Sequence, residues 1–134
     1  MNWNYISGFF DADGSITLSK PSNSRYKTVY ISFHNNEMVI LEEIQNFIYK
    51  DLKIKGAITT KKPKKSTHKI AFDLKYDFFE KTVLILKKMK LIHPKKKHRA
   101  RICALLYGNI PRNGKYTSSM LLTRQKLEDE FFKE

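Results

Sequence analysis

The sequence has a single cysteine, Cys103, so it can form no internal disulfide. A lone thiol suits a reducing compartment, and an intracellular location is expected, in the cytoplasm or an organelle matrix. Proline and glycine are scarce, at 4 and 5 residues, which excludes collagenous or low-complexity chain. No apolar run approaches the roughly 20 residues that span a bilayer. The amino terminus lacks a basic segment followed by an apolar one, so no signal peptide is expected. Acidic residues are few: 13 Asp and Glu stand against 26 Lys and Arg, a formal net charge of +13. Such an excess speaks to partners rather than to fold. Nucleic acid is the first candidate and an anionic membrane surface the second. A chain of 134 residues is expected to form one domain, 1–134, with a sizeable core.

What is present is organised around Ile6-Ser7-Gly8-Phe9-Phe10-Asp11-Ala12-Asp13-Gly14. The stretch reads as a short helix over about 3–14, capped by Asn2 or Asn4. Gly14 fits a left-handed position just past its end. Gly8 and Ala12 lie one turn apart on one face, with Ser7 nearby, so another backbone can come close. Asp11 and Asp13 fall in the last turn, where the dipole disfavours negative charge. They need compensation from a cation or a hydrogen-bond donor. Residues two apart point to different sides, so the pair cannot clamp a metal alone. A second copy of the same helix, packed on the small face, brings two Asp13 carboxylates together. Such a pair suits a hard cation such as magnesium.

Downstream, Ser15 to Lys20 alternates with period two, and so does Tyr26 to His34, around the turn-rich Pro21-Ser22-Asn23-Ser24. This predicts a hairpin with Ile16, Leu18, Val29, Ile31 and Phe33 buried and a wet face opposite. Asn35 or Asn36 caps a helix through about Lys50. A second hairpin carries Ile54, Ile58, Ile70, Phe72 and Leu74 on its apolar side, with a lysine-rich loop. Helices follow from about Asp77 to Met89, from Pro94 to Gly108, and from Thr117 or Ser118 onward, so the C-terminal helices occupy about 94–134.

The motif residues resemble the LAGLIDADG signature of homing endonucleases. Ile6 stands for the leading Leu, Ser7 for Ala, Gly8 for Gly, and Phe9-Phe10 for Leu-Ile, with Asp11-Ala12-Asp13-Gly14 unchanged. The order of elements agrees along nearly the whole chain. The resemblance implies an α+β class: an αββαββα fold whose mixed or antiparallel saddle-shaped sheet has helices on one face. With one motif and no internal repeat, one chain supplies half of a site, so a homodimer is implied, pairing through Ser7, Gly8, Asp11 and Ala12. The implied activity is site-specific cutting of a long, pseudo-palindromic DNA duplex, with Mg²⁺ or Mn²⁺, leaving short 3′ overhangs. The gene of such a protein commonly resides in an intron or intein. A non-cleaving intron maturase, or a DNA- or RNA-binding protein, is the alternative.

By the same resemblance Asp13 and the main-chain carbonyl of Ala12 are the metal ligands, and Asp13 is catalytic. Lys96 matches a lysine near the cleavage centre of relatives, although Lys95-Lys96-Lys97-His98-Arg99 also reads as a phosphate patch. His34 ends the second strand where relatives position a water; an ordinary strand-end histidine is the other reading. The candidate DNA-binding face comprises Ser15, Thr17, Ser19, Tyr26, Thr28, Tyr30, Ser32, Lys55, Thr59, Lys61, Lys69 and Asp73. Asn23, Ser24, Arg25, Lys62, Lys64 and Lys65 extend it in the loops. Hydroxyls and Tyr suit base edges, and lysines suit phosphates. His93, His98 and Cys103 lack the spacing of a zinc site.

Overall fold

The structure, a computed structural model, describes residues 1–21, 25–61 and 69–133. The elements run α1 (Trp3–Asp13), β1 (Gly14–Ser19), β2 (Thr28–Asn35), α2 (Met38–Leu52), β3 (Ala57–Lys61), β4 (Ala71–Tyr76), α3 (Phe79–Lys88), α4 (Pro94–Gly108) and α5 (Ser118–Phe131). The strands form one sheet in the order β1-β2-β4-β3. Every pairing is antiparallel, so of the two expected sheet types the antiparallel one is found.

Alternation in the strands decides which face is buried. Ile16, Leu18, Val29, Ile31, Phe33, Leu74 and Tyr76 turn inward, and all five helices send residues into the same core. Phe33 is its hub: its ring meets Phe10 edge-on at 5.1 Å and Tyr76 at 6.3 Å. Burying one such ring contributes about 2–3 kcal/mol. The packing fixes the motif helix α1 on the inner side of β2, with its carboxyl end at the edge of the open face.

Asn2 caps α1, its side chain accepting from the Tyr5 N–H at 2.8 Å. Gly14 is not left-handed. Its φ of −99° and ψ of 165° are extended, because the chain passes straight into β1. Glycine is needed for another reason. A Cβ there would stand 2.4 Å from the Phe10 ring. The cap position of α2 is Glu37 rather than an asparagine; Asn35 Oδ1 instead accepts the Glu37 N–H at 2.8 Å and turns the chain. Helix α3 starts at Phe79, two residues later than expected, as buried Thr82 bonds the Tyr76 carbonyl at 3.1 Å. Ile70 lies outside β4 and is exposed. Helices α4 and α5 start where proline and threonine predict, with Thr117 Oγ1 accepting from Met120 N.

Candidate nucleic-acid face and helix terminus

The carboxyl end of α1 has its last carbonyls and two carboxylates to satisfy. Lys96, from the first turn of α4, solves part of this. Its Nζ donates to the carbonyls of Phe10 at 2.9 Å and Asp11 at 2.6 Å. Burial lowers the ammonium from its ordinary pKa, while Asp11 and Asp13 pull it back up. Asp11 is compensated differently. Its carboxylate accepts the backbone N–H groups of Ile92 at 2.8 Å and His93 at 3.2 Å. It thus ties the segment that leads into α4. Asp13 is exposed, and so is Ala12 beside it.

The small face divides in two. Gly8 and Ala12 are exposed, and a Cβ on Gly8 would meet nothing within 4 Å. Ser7 is buried in its own fold, donating to the Trp3 carbonyl at 2.7 Å and accepting from Lys90 N at 2.9 Å. Ser7 and Asp11 therefore brace the segment before α4, and the outward pair is Gly8 with Ala12.

The open sheet face gathers side chains from all four strands. Ser15 pairs across from Ser32, Thr17 from Tyr30, and Ser19 from Thr28. His34 pairs with Asp73, and Asp73 with Thr59. All of these except Ser19 and Thr28, together with Lys61 and Lys75, line a depression of about 530 Å³. Within it runs a continuous polar chain. Lys61 Nζ lies 3.1 Å from Asp73 Oδ2, whose other oxygen bonds His34 Nδ1. His34 Nε2 is 3.1 Å from Ser15 Oγ and 3.3 Å from Ser32 Oγ, and the two hydroxyls are 2.9 Å apart. His34 follows Phe33, the partner of Gly14, so the chain adjoins the end of α1.

Several candidates lie elsewhere. Tyr26 precedes β2, and its ring meets that of Tyr116 at 4.8 Å, tilted by 48°. Lys55 sits in the turn before β3, and Lys69 lies ahead of β4; both are exposed but off the sheet face. Arg25 is exposed in the first loop. Asn23, Ser24, Lys62, Lys64 and Lys65 lie outside the described residues. In the basic stretch of α4, Lys95 and Lys97 face solvent. His98 Nε2 bonds the Glu130 carbonyl at 2.7 Å, and Arg99 lies over the Phe131 ring.

Two residues escaped the sequence reading. Lys75 lies on the open face with its ammonium 4.0 Å from the Tyr30 ring; continuing the alternation two residues past Asp73 finds it. Arg124 is 5% exposed, pairs with Glu128 at 3.3 Å, and donates to Tyr116 and to the Lys27 carbonyl. It anchors α5 to the start of β2. Its signal was a charge on the apolar stripe that carries Leu127 and Phe131.

Among the described residues no three His, Cys, Asp or Glu side chains converge. Cys103 is fully buried, and burial pushes its thiol up to about 12.

An antiparallel sheet with helices on one face and an Asp-Ala-Asp helix end defines the class. The model of the LAGLIDADG endonuclease family matches residues 6–106, and the chain belongs to that family. Comparison with curated proteins gave no match. Among solved structures, the LAGLIDADG meganuclease I-AabMI bound to uncleaved DNA is similar at TM-score 0.68 and 16% identity, over 96% of this chain and 44% of that one. The homing endonuclease I-TnaI is similar at TM-score 0.64 and 15% identity, over 99% of this chain and 90% of that one. The homing endonuclease I-CvuI, in complex with its target in 2 mM Ca, gives 0.62 and 16%, over 97% and 82%. This chain thus spans less than half of the meganuclease and most of the two others. At these identities the likeness is one of fold.

Proposed function

We propose that two copies of this chain bind a long, pseudo-palindromic DNA duplex and hydrolyse both strands with a divalent metal. Family membership and the exposed Asp13 at the end of α1 carry this reading. Hard oxygen donors suit magnesium or manganese, and Asp13 with the Ala12 carbonyl offers only oxygens. A bound metal of this kind lowers the pKa of a coordinated water and stabilises a leaving oxygen. Lys96 holds the helix end and adds positive charge near the phosphates. His34, at the adjoining end of the open face, positions polar groups on the substrate side. Short 3′ overhangs are expected by analogy with the family.

Pairing through α1 supports the two-fold arrangement. Glycine within a helix costs about 1 kcal/mol relative to alanine. Nothing inside the chain needs Gly8 to be small, since the space beside it is open. A second α1 packed there explains the residue and brings two Asp13 carboxylates together. The open face, with hydroxyls, Lys61 and Lys75, matches the major groove in chemistry, and a net charge of +13 favours phosphates.

The test is cleavage of a randomised duplex library with magnesium or with EDTA, followed by sequencing of the cut ends. One near-palindromic site cut on both strands, in magnesium alone, is the expected result. Selective binding without cuts would instead favour a maturase or a regulator.

A further inference from the structure

The polar chain on the open face carries more information than its members do singly, because its protons can be counted. Asp73 holds the Lys61 ammonium at 3.1 Å and is therefore a carboxylate, which only accepts. The proton between it and His34 must then belong to Nδ1. In neutral histidine that leaves Nε2 bare and able only to accept. Nε2 faces the hydroxyls of Ser15 and Ser32, which also face each other.

Two hydroxyls bring two protons. One satisfies Nε2 and the other bridges the serines. Either Ser15 donates to His34 and Ser32 to Ser15, or Ser32 donates to His34 and Ser15 to Ser32. With His34 neutral, the Ser15 proton is consumed inside the chain in both arrangements. Its oxygen keeps at least one lone pair facing out. Ser32 is 6% exposed, so Ser15, half-buried at the rim, is the member that reaches a ligand.

We infer that the Lys61–Asp73–His34 relay makes Ser15 an acceptor-only reader, which selects a base carrying an exocyclic amine in the major groove. Those bases are adenine, through N6, and cytosine, through N4. Every base pair carries one such amine, so the relay sets the orientation of a pair: A·T or C·G over T·A or G·C on the strand that Ser15 faces. The inference rests on the reading of this face as a DNA surface. Asp73 and Lys61 are positioning residues here, touching no base through this relay.

The experiment is selection of bound duplexes from a randomised pool, in EDTA, by the full chain and by variants. One position in each half-site should favour A or C about five- to tenfold, the worth of one hydrogen bond. Ser15→Ala should erase that preference and no other. His34→Gln should keep it, because Asp73 takes the amide N–H and leaves the amide oxygen toward the serines. His34→Lys, which has donors only, should free the Ser15 proton and turn the preference to G or T. A Ser15-dependent preference for G or T in the unaltered protein overturns the proton assignment, and so does a Ser15→Ala profile identical to the parent. Absence of any selective duplex binding by the parent overturns the DNA reading itself, and the inference with it.

Discussion

Lys96 Nζ lies between the Phe10 and Asp11 carbonyls, at 2.9 and 2.6 Å, so an ammonium caps the helix that ends in Asp13. A cation there complements the helix dipole and offsets two carboxylates in the last turn. Lys96→Met keeps the aliphatic stem and removes the charge. It is expected to lower melting stability by about 1–2 kcal/mol. Cleavage should fall far more than stability does. Thermal melts beside cutting rates on the selected duplex check both parts.

Asp11 accepts two backbone N–H groups from the segment before α4. Asp11→Ala returns two exposed backbone donors to water, so only the net worth of the bonds is lost, about 1 kcal/mol. Asp11→Asn retains one acceptor oxygen and should lose roughly half as much. Urea unfolding of the two variants measures the difference. Equal losses would mean that the carboxylate is not acting as a double acceptor.

Gly8 is where the fold of one chain and the proposed pairing of two make opposite demands. Gly8→Leu gains helix propensity and meets open space within the chain. The folded monomer should therefore keep or raise its stability. Association should be lost, because a bulky side chain separates the two α1 helices. Sedimentation reads the mass, and circular dichroism reads the fold.

Cys103 is fully buried, with its thiol raised from 9.0 to about 12. Thiolate is the reactive form, so labelling at pH 8 should be slow in the folded protein. Full reactivity should return in denaturant. Because the folded pKa is raised, the thiol form is the one the fold favours. Stability from this group is present below its unfolded value and is lost as pH rises from about 9 to about 12. Rapid labelling of native protein would contradict the core position.

Period-two alternation made β1 and β2 legible, since Ile16, Leu18, Val29, Ile31 and Phe33 all turn inward. Pro94 and Thr117 marked the starts of α4 and α5 because proline and a cap hydroxyl act locally. The need for compensation at the end of α1 was also legible, from two carboxylates in a last turn. What met that need was not. The Asp11 partners are backbone groups more than 80 residues away, and backbone donors leave no mark in a sequence. Gly14 was misread for a related reason. Its constraint is the Phe10 ring, a packing fact, rather than its own φ. Tyr26, Lys55 and Lys69 were placed on the sheet because alternation says nothing about where a strand begins. The His34–Asp73 link joins β2 to β4, a pairing that needs the strand order to be known.

In the proposed function Asp13 is the carboxylate through which this chain cuts DNA. The most direct measurement compares Asp13→Asn with the parent on the selected duplex, in magnesium, recording binding and strand cleavage together. Asp13 is exposed and sits at an unfavourable end of the helix dipole, so the variant should fold at least as stably. Intact folding, retained duplex binding and no cut on either strand are expected. A variant that folds, binds and still cuts both strands at the parental rate would contradict that role.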